Sequence, residues 1–131
     1  MRTKFAVGLG TVALSAAMLS LTGGPAGAAV ATPANASGPF RVHSYSGDVG
    51  ATPAMWSGSS AQICFNIWGN HLRDGYFVIL ASDSGAQWTA HYYGPKNKTC
   101  SPWRHFRGSF RARILPHADA SVDADVWLYY N

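Results

Sequence analysis

SPWRHFRGSFRARILPHADASVDADVWLYY, residues 101–130, decides the fold class. Over its length apolar and polar side chains take turns. Phe110, Ala112 and Ile114 alternate with Ser109, Arg111 and Arg113, and Val122, Ala124, Val126 and Leu128 alternate with Asp123, Asp125, Trp127 and Tyr129. A period of two sends successive side chains to opposite faces of an extended chain, so each run reads as a strand with one buried face. With LPHADAS (115–121) as the turn, Ile114 stands opposite Val122 in a hairpin. One face then collects Ile114, Ala112, Phe110, Gly108 and Phe106 against Val122, Ala124, Val126, Leu128 and Tyr130. The other pairs Arg113 with Asp123, Arg111 with Asp125, Ser109 with Trp127, and Arg107 with Tyr129. A slip of one residue would bury the charges, so the pattern selects a register of this kind. Each opposite-charge pair across strands contributes about 0.2–1 kcal/mol.

Working outward, FRVHSY (40–45), AQICFNIW (61–68), GYFVILA (75–81), AQWTAHYY (86–93) and WRHFRGSFRARI (103–114) are all rich in aromatic or β-branched residues. Gly, Pro, Asn and Asp bound them, which is the mark of strands and turns. SGDVGATPAMWSGSS (46–60) reads as a long turn-rich connection, and NHLRDG, SDSG and YGPKNKT as turns. With SDSG as a four-residue loop, Ala81 faces Ala86, Ile79 faces Trp88 and Phe77 faces Ala90 in one apolar layer, leaving Tyr76, Val78 and Leu80 on a mixed face. GYFVILA is apolar on both faces, which places it centrally in its sheet. The chain has no glutamate, few lysines and 14 glycines, a composition poor in the residues that dress exposed helices. The expectation is an all-β fold, a small antiparallel β-sandwich or barrel of about six to seven strands, joined as a consecutive meander, with one disulfide.

The N-terminus predicts a secretory signal over 1–28. Arg2 and Lys4 precede an uncharged apolar run from Phe5 to Leu21, and Ala26-Gly27-Ala28 is the small-x-small pattern of a cleavage site. Ala31 and Ala36 are alternative cut points. The run is shorter than the roughly 20 residues that span a bilayer, so no stable membrane anchor is expected. Residues 29–39, with VATPANASGP at their core, read as a flexible linker, and 40–131 as a single β-domain. Cys64 and Cys100 are the two cysteines, and in an oxidising compartment an isolated pair reads as one disulfide. Losing Arg2 and Lys4 lowers the net charge from +4 to +2.

Chemistry has few footholds. All six acids are aspartates. A small secreted hydrolase is therefore disfavoured: a guanyl-ribonuclease site lacks its glutamate base, and Asp123 and Asp125 beside arginines would both stay ionised, which is wrong for a general acid. No nucleophile, zinc or phosphate-loop motif occurs, so no catalytic residue, metal site or cofactor is expected. Nucleic acid is not an expected partner, because a net charge of +2 attracts it weakly at physiological salt.

The remaining expectation is binding. Flat sugar rings stack on exposed Trp and Tyr while Arg, Asn and Asp collect hydroxyls. Alternation leaves one of Tyr92 and Tyr93, and one of Tyr129 and Tyr130, pointing outward. With Tyr92 and Tyr130 inside, Tyr93, Trp127 and Tyr129 join Arg107, Trp103, Arg104 and His105 as the candidate ligand-binding residues. The expected partner is an extracellular polysaccharide or cell-envelope polymer, bound by a monomer. The alternative is an extracellular protein. Trp103-Arg104-His105 resembles, at two of three positions, the Trp-Arg-Tyr tip of the microbial α-amylase inhibitors. That resemblance implies inhibition of an extracellular hydrolase. His stands where that family has Tyr, and this chain has two cysteines rather than four.

Overall fold

The computed structural model describes residues 34–131. The signal-sequence reading of 1–28 and the first part of the linker fall outside them. The described chain is all-β: two antiparallel sheets packed face to face, with a single turn of 3-10 helix at Leu72–Asp74. Ten strands are present: β1 (Asn35–Tyr45), β2 (Gly50–Ala51), β3 (Met55–Ser57), β4 (Ser60–Asn70), β5 (Tyr76–Ser82), β6 (Gly85–Tyr92), β7 (Lys96–Cys100), β8 (Arg104–His105), β9 (Gly108–Pro116) and β10 (Ser121–Tyr130). The first sheet runs β1-β10-β4-β7, with β8 also on β4. The second runs β2-β9-β5-β6, with β3 also on β9.

The strand count exceeds the six to seven expected because β2, β3 and β7 are short pieces hidden in stretches that read as turns, and because the single strand expected over 103–114 is split into β8 on the first sheet and β9 on the second. The 46–60 connection holds two of them against β9. Pro53 interrupts that edge, since it has no N–H to give. Thr52 repairs the gap: its N–H donates to the Ala112 carbonyl (3.1 Å), and its hydroxyl accepts from the Ala112 N–H (3.0 Å). The linker reading also needs correction. Asn35, Ala36 and Ser37 pair with Tyr130, Tyr129 and Leu128, so residues 35–39 belong to β1. Their small, turn-forming composition signals a break at Gly38–Pro39, where the register shifts, and not a free tether.

Residues 101–130 do not form the expected hairpin. β9 and β10 do not pair, and the order is no meander. Of all chain-consecutive strands, β5 and β6 alone lie side by side in the sheets. Residues 117–120 carry the chain from one sheet to the other, with the Ala120 N–H donating to the His117 carbonyl (3.0 Å) and the His117 N–H to the Gly75 carbonyl (3.0 Å). The faces were nevertheless read correctly: Phe110, Ala112, Ile114, Val122, Ala124, Val126 and Leu128 are all buried. They meet across the sandwich, apolar face on apolar face, instead of along one sheet. Each strand has both edges taken elsewhere. β10 lies between β1 and β4, and β9 between β5 and the β2 and β3 pieces.

The core is completed by Ile63, Phe65 and Ile67 of β4 and by Tyr76, Val78 and Leu80 of β5. The last three were expected on the mixed face. Gln87 of β6 is an extra residue opposite the Leu80–Ala81 step of β5, and this bulge shifts the β5–β6 register, so Leu80 faces Trp88, Val78 faces Ala90 and Tyr76 faces Tyr92. One extra residue in a strand reverses every side chain beyond it. β5 is central in its sheet, as its two apolar faces require. Tyr92 and Tyr130 both pack on the core.

The two sheets are tied where the chain crosses between them. Ser44, fully buried, donates to the Ile114 carbonyl (2.8 Å) and accepts from the Gly50 N–H (3.1 Å). Gly50 must be glycine for this approach: a Cβ there would lie 2.6 Å from Val42 Cγ1 and 2.8 Å from the His43 carbonyl oxygen. The Cys64–Cys100 disulfide joins opposed residues of β4 and β7 and closes a separation of 36 residues. Among the described residues no helix is long and apolar enough to cross a membrane.

Candidate functional site

A two-layer sandwich has two outer faces, and their chemistry differs. On the first sheet the outward residues are Arg41 and His43 of β1, Asp123, Asp125, Trp127 and Tyr129 of β10, and Asn66 and Trp68 of β4. This face satisfies itself. Arg41 donates from Nε to Asp125 Oδ1 (2.7 Å), and its guanidinium lies over the Trp68 ring, 4.8 Å from the centroid. The hydrogen bond to Asp125 raises the Arg41 pKa above its ordinary value. His43 Nδ1 meets Asp123 Oδ1 at 2.8 Å. The Lys98 ammonium sits 4.1 Å from the Trp127 ring centroid, with the Lys98 N–H donating to Asn66 Oδ1 (2.6 Å). Asp123 and Asp125, expected to neutralise the β9 arginines, are therefore held by β1.

The second sheet carries the consequence. Arg111 and Arg113 point outward from β9, and Arg107 stands just ahead of it. None of the three has a carboxylate within 4.0 Å among the described residues. Their cross-strand neighbours are small or apolar: Ala81 faces Arg111, while Ala51 and Ile79 face Arg113. Ala51 and Ala81 are too short to cover a guanidinium. Trp56 of β3 stands opposite Ser109, on the same face as the arginines, and is the most exposed of the large hydrophobic side chains at 62 %. Two shallow depressions flank the β5–β6 turn. One, of about 260 Å³, is lined by Arg111, Arg113 and Asp83 among others, and the second, of about 280 Å³, by Trp56, Arg107, Asp83 and Ser84 among others. Asp83 is the acid of this region, and it makes no ion pair.

The far end of the same face is aromatic. Leu115 and His91 flank Phe77 across the strands, and the His91 and Phe77 rings stack with centroids 4.4 Å apart. Tyr93 lies 4.6 Å from His91, and His117 6.2 Å. From Gly108 to Pro116 β9 spans roughly 27 Å, so the face runs from Trp56 and Arg107 at one end to Tyr93 at the other.

The seven residues singled out from the sequence thus do not form one cluster. Trp127 and Tyr129 are half-buried on the first sheet. Trp103, Arg104 and His105 are exposed at its edge, where β8 meets Ala61 and Ser60 of β4. Arg107 and Tyr93 lie at opposite ends of the second sheet. The expected meeting of Arg107 with Tyr129 does not occur, because Tyr129 pairs with Gln62 and Ala36. The residues that sequence reasoning passed over are Trp56, hidden in a three-residue strand, and Arg111 and Arg113, assigned to aspartates that another strand takes. Among the described residues no group of three or more His, Cys, Asp or Glu side chains is gathered for a metal. No protein-family model, no curated protein and no solved structure matches the chain.

Proposed function

We propose that the protein is a secreted binding domain that holds a carbohydrate or cell-envelope polymer against the outer face of its second sheet. The observation carrying this reading is the row of unpaired Arg107, Arg111 and Arg113 beside the exposed Trp56. A flat indole and free guanidinium forks are what a hydroxylated chain uses for stacking and hydrogen bonding. The first sheet is the weaker platform, since Lys98 and Arg41 already occupy its tryptophan rings. The Cys64–Cys100 disulfide fits an oxidising compartment. Co-sedimentation of the purified protein with insoluble polysaccharides and isolated cell walls tests the reading. Trp56→Ala is expected to abolish retention by a folded protein, and Trp127→Ala to leave it. Failure of the wild type to sediment with any of them defeats it.

A second reading rests on the edge of the first sheet. Trp103, 41 % exposed, precedes Arg104 and His105 on the two-residue strand β8, a shape suited to entering a protein cleft. Inhibition of an extracellular hydrolase would then require a stoichiometric complex lost on Arg104→Ala and unaffected by Trp56→Ala.

A further inference from the structure

Resting on the polymer-binding reading, we infer that the ligand of the second sheet is a polyanion: an extracellular polymer bearing an anionic group, phosphate or carboxylate, at regular intervals along a hydroxylated chain. Charge complementarity favours a polyanion. A guanidinium is a planar fork of donors that matches phosphate and carboxylate oxygens in pairs. On the first sheet such groups are met from within, Arg41 by Asp125 and His43 by Asp123. On the second sheet, among the described residues, none of the three arginines has a carboxylate within 4.0 Å, and Asp83, which lines the depressions beside them, makes no ion pair with any of them. Ala81 beside Arg111 and Ala51 beside Arg113 are too short to cover either charge, although Ile79 flanks Arg113 on the β5 side.

The spacing argues for a chain over a single ion. Arg111 and Arg113 are two residues apart on one strand face, roughly 7 Å by strand geometry. Arg107 lies beyond Trp56 and Ser109 at the end of the row, farther than one phosphate or carboxylate can bridge. Trp56, standing opposite Ser109, offers a ring between the cationic ends for the uncharged part of a repeat. A neutral glycan would leave the row without a partner.

Cellulose, phosphocellulose and carboxymethyl cellulose share one backbone and differ in charge, and cell walls can be compared before and after extraction of their anionic polymers. The wild type is expected on both charged celluloses and on intact walls. Which charged support holds it better identifies the anion. Retention should fall by about 100-fold for each tenfold rise in salt if three anionic groups are engaged. Arg111→Gln with Arg113→Gln should weaken binding by about tenfold or more, since charge-assisted bidentate contacts are lost. Arg73→Gln with Lys96→Gln removes the same net charge elsewhere and should leave retention intact. Equal, salt-insensitive binding to neutral cellulose and extracted walls, lost in Trp56→Ala, overturns the polyanion and leaves the polymer-binding reading standing. Equal weakening by both double variants reduces the effect to net charge and overturns the site. Stronger retention on single-stranded-DNA cellulose than on phosphocellulose overturns it in favour of nucleic acid. No retention on any support overturns both readings. Circular dichroism of each variant separates lost binding from lost folding.

Discussion

Tyr76 shows at the scale of one residue how burial is turned into a measurable property. Its side chain is fully buried, and its hydroxyl donates to the Gly94 carbonyl (2.7 Å), tying β5 to the loop before β7. Burial raises its pKa well above the ordinary phenol value, and the nearby Tyr92 adds to the shift. Tyr92 is itself raised by burial. A phenol whose folded pKa is raised contributes stability that is complete below the unfolded value near 10 and is lost as pH climbs toward the folded pKa. Chemical denaturation across the alkaline range is therefore expected to show stability falling above about pH 10. Tyr76→Phe should flatten that fall and cost about 1 kcal/mol at neutral pH through the hydrogen bond removed. An equally steep fall in the variant would refute the assignment to Tyr76. Alternation left one tyrosine of each pair inward, and Tyr92 and Tyr130 are the two that pack on the core, but it set Tyr76 on a mixed face. The bulge that brings Trp88, Ala90 and Tyr92 of β6 opposite Leu80, Val78 and Tyr76 is one residue long and leaves no periodic trace.

Among the elements, β1 and β7 illustrate two ways in which an edge is secured. β1 begins at Asn35, and Ser37 Oγ hydrogen-bonds the Tyr130 hydroxyl (3.0 Å) while the strand covers one side of β10. A protein starting at Phe40 is expected to be less stable than one starting at Ala34 by about 1–3 kcal/mol, since unpaired β10 backbone groups are left behind. Equal melting temperatures for the two would show that residues 35–39 add nothing. β7 is shorter and holds β4 through few pairs, with the disulfide at one end. Cys64→Ala with Cys100→Ala removes a cross-link worth about 4 kcal/mol in the chain-entropy account. Hydrogen exchange should report β7 amides losing protection before those of β4 and β10. Strands of seven residues or more were legible because a period of two needs several turns to declare itself. Met55–Ser57 and Gly50–Ala51 are too short to carry one, and the candidate site lost Trp56 for that reason.

At the scale of the whole molecule, the sequence by itself determined the fold class, the disulfide pair and the buried face of most long strands. These follow from properties local to a strand or from composition: alternation, β-branched and aromatic content, absent glutamate, two cysteines. Only the tertiary structure decided which strand each face meets. An alternating strand specifies an apolar side but not whether its partner lies beside it in the same sheet or across the core from it, because burial removes the same apolar area from water either way. For β9 and β10 that choice moves Asp123 and Asp125 to β1 and leaves Arg111 and Arg113 unpaired. The charges are sequence properties; their lack of partners is not, since an ion pair needs two groups within a few ångströms and only the folded chain sets that distance.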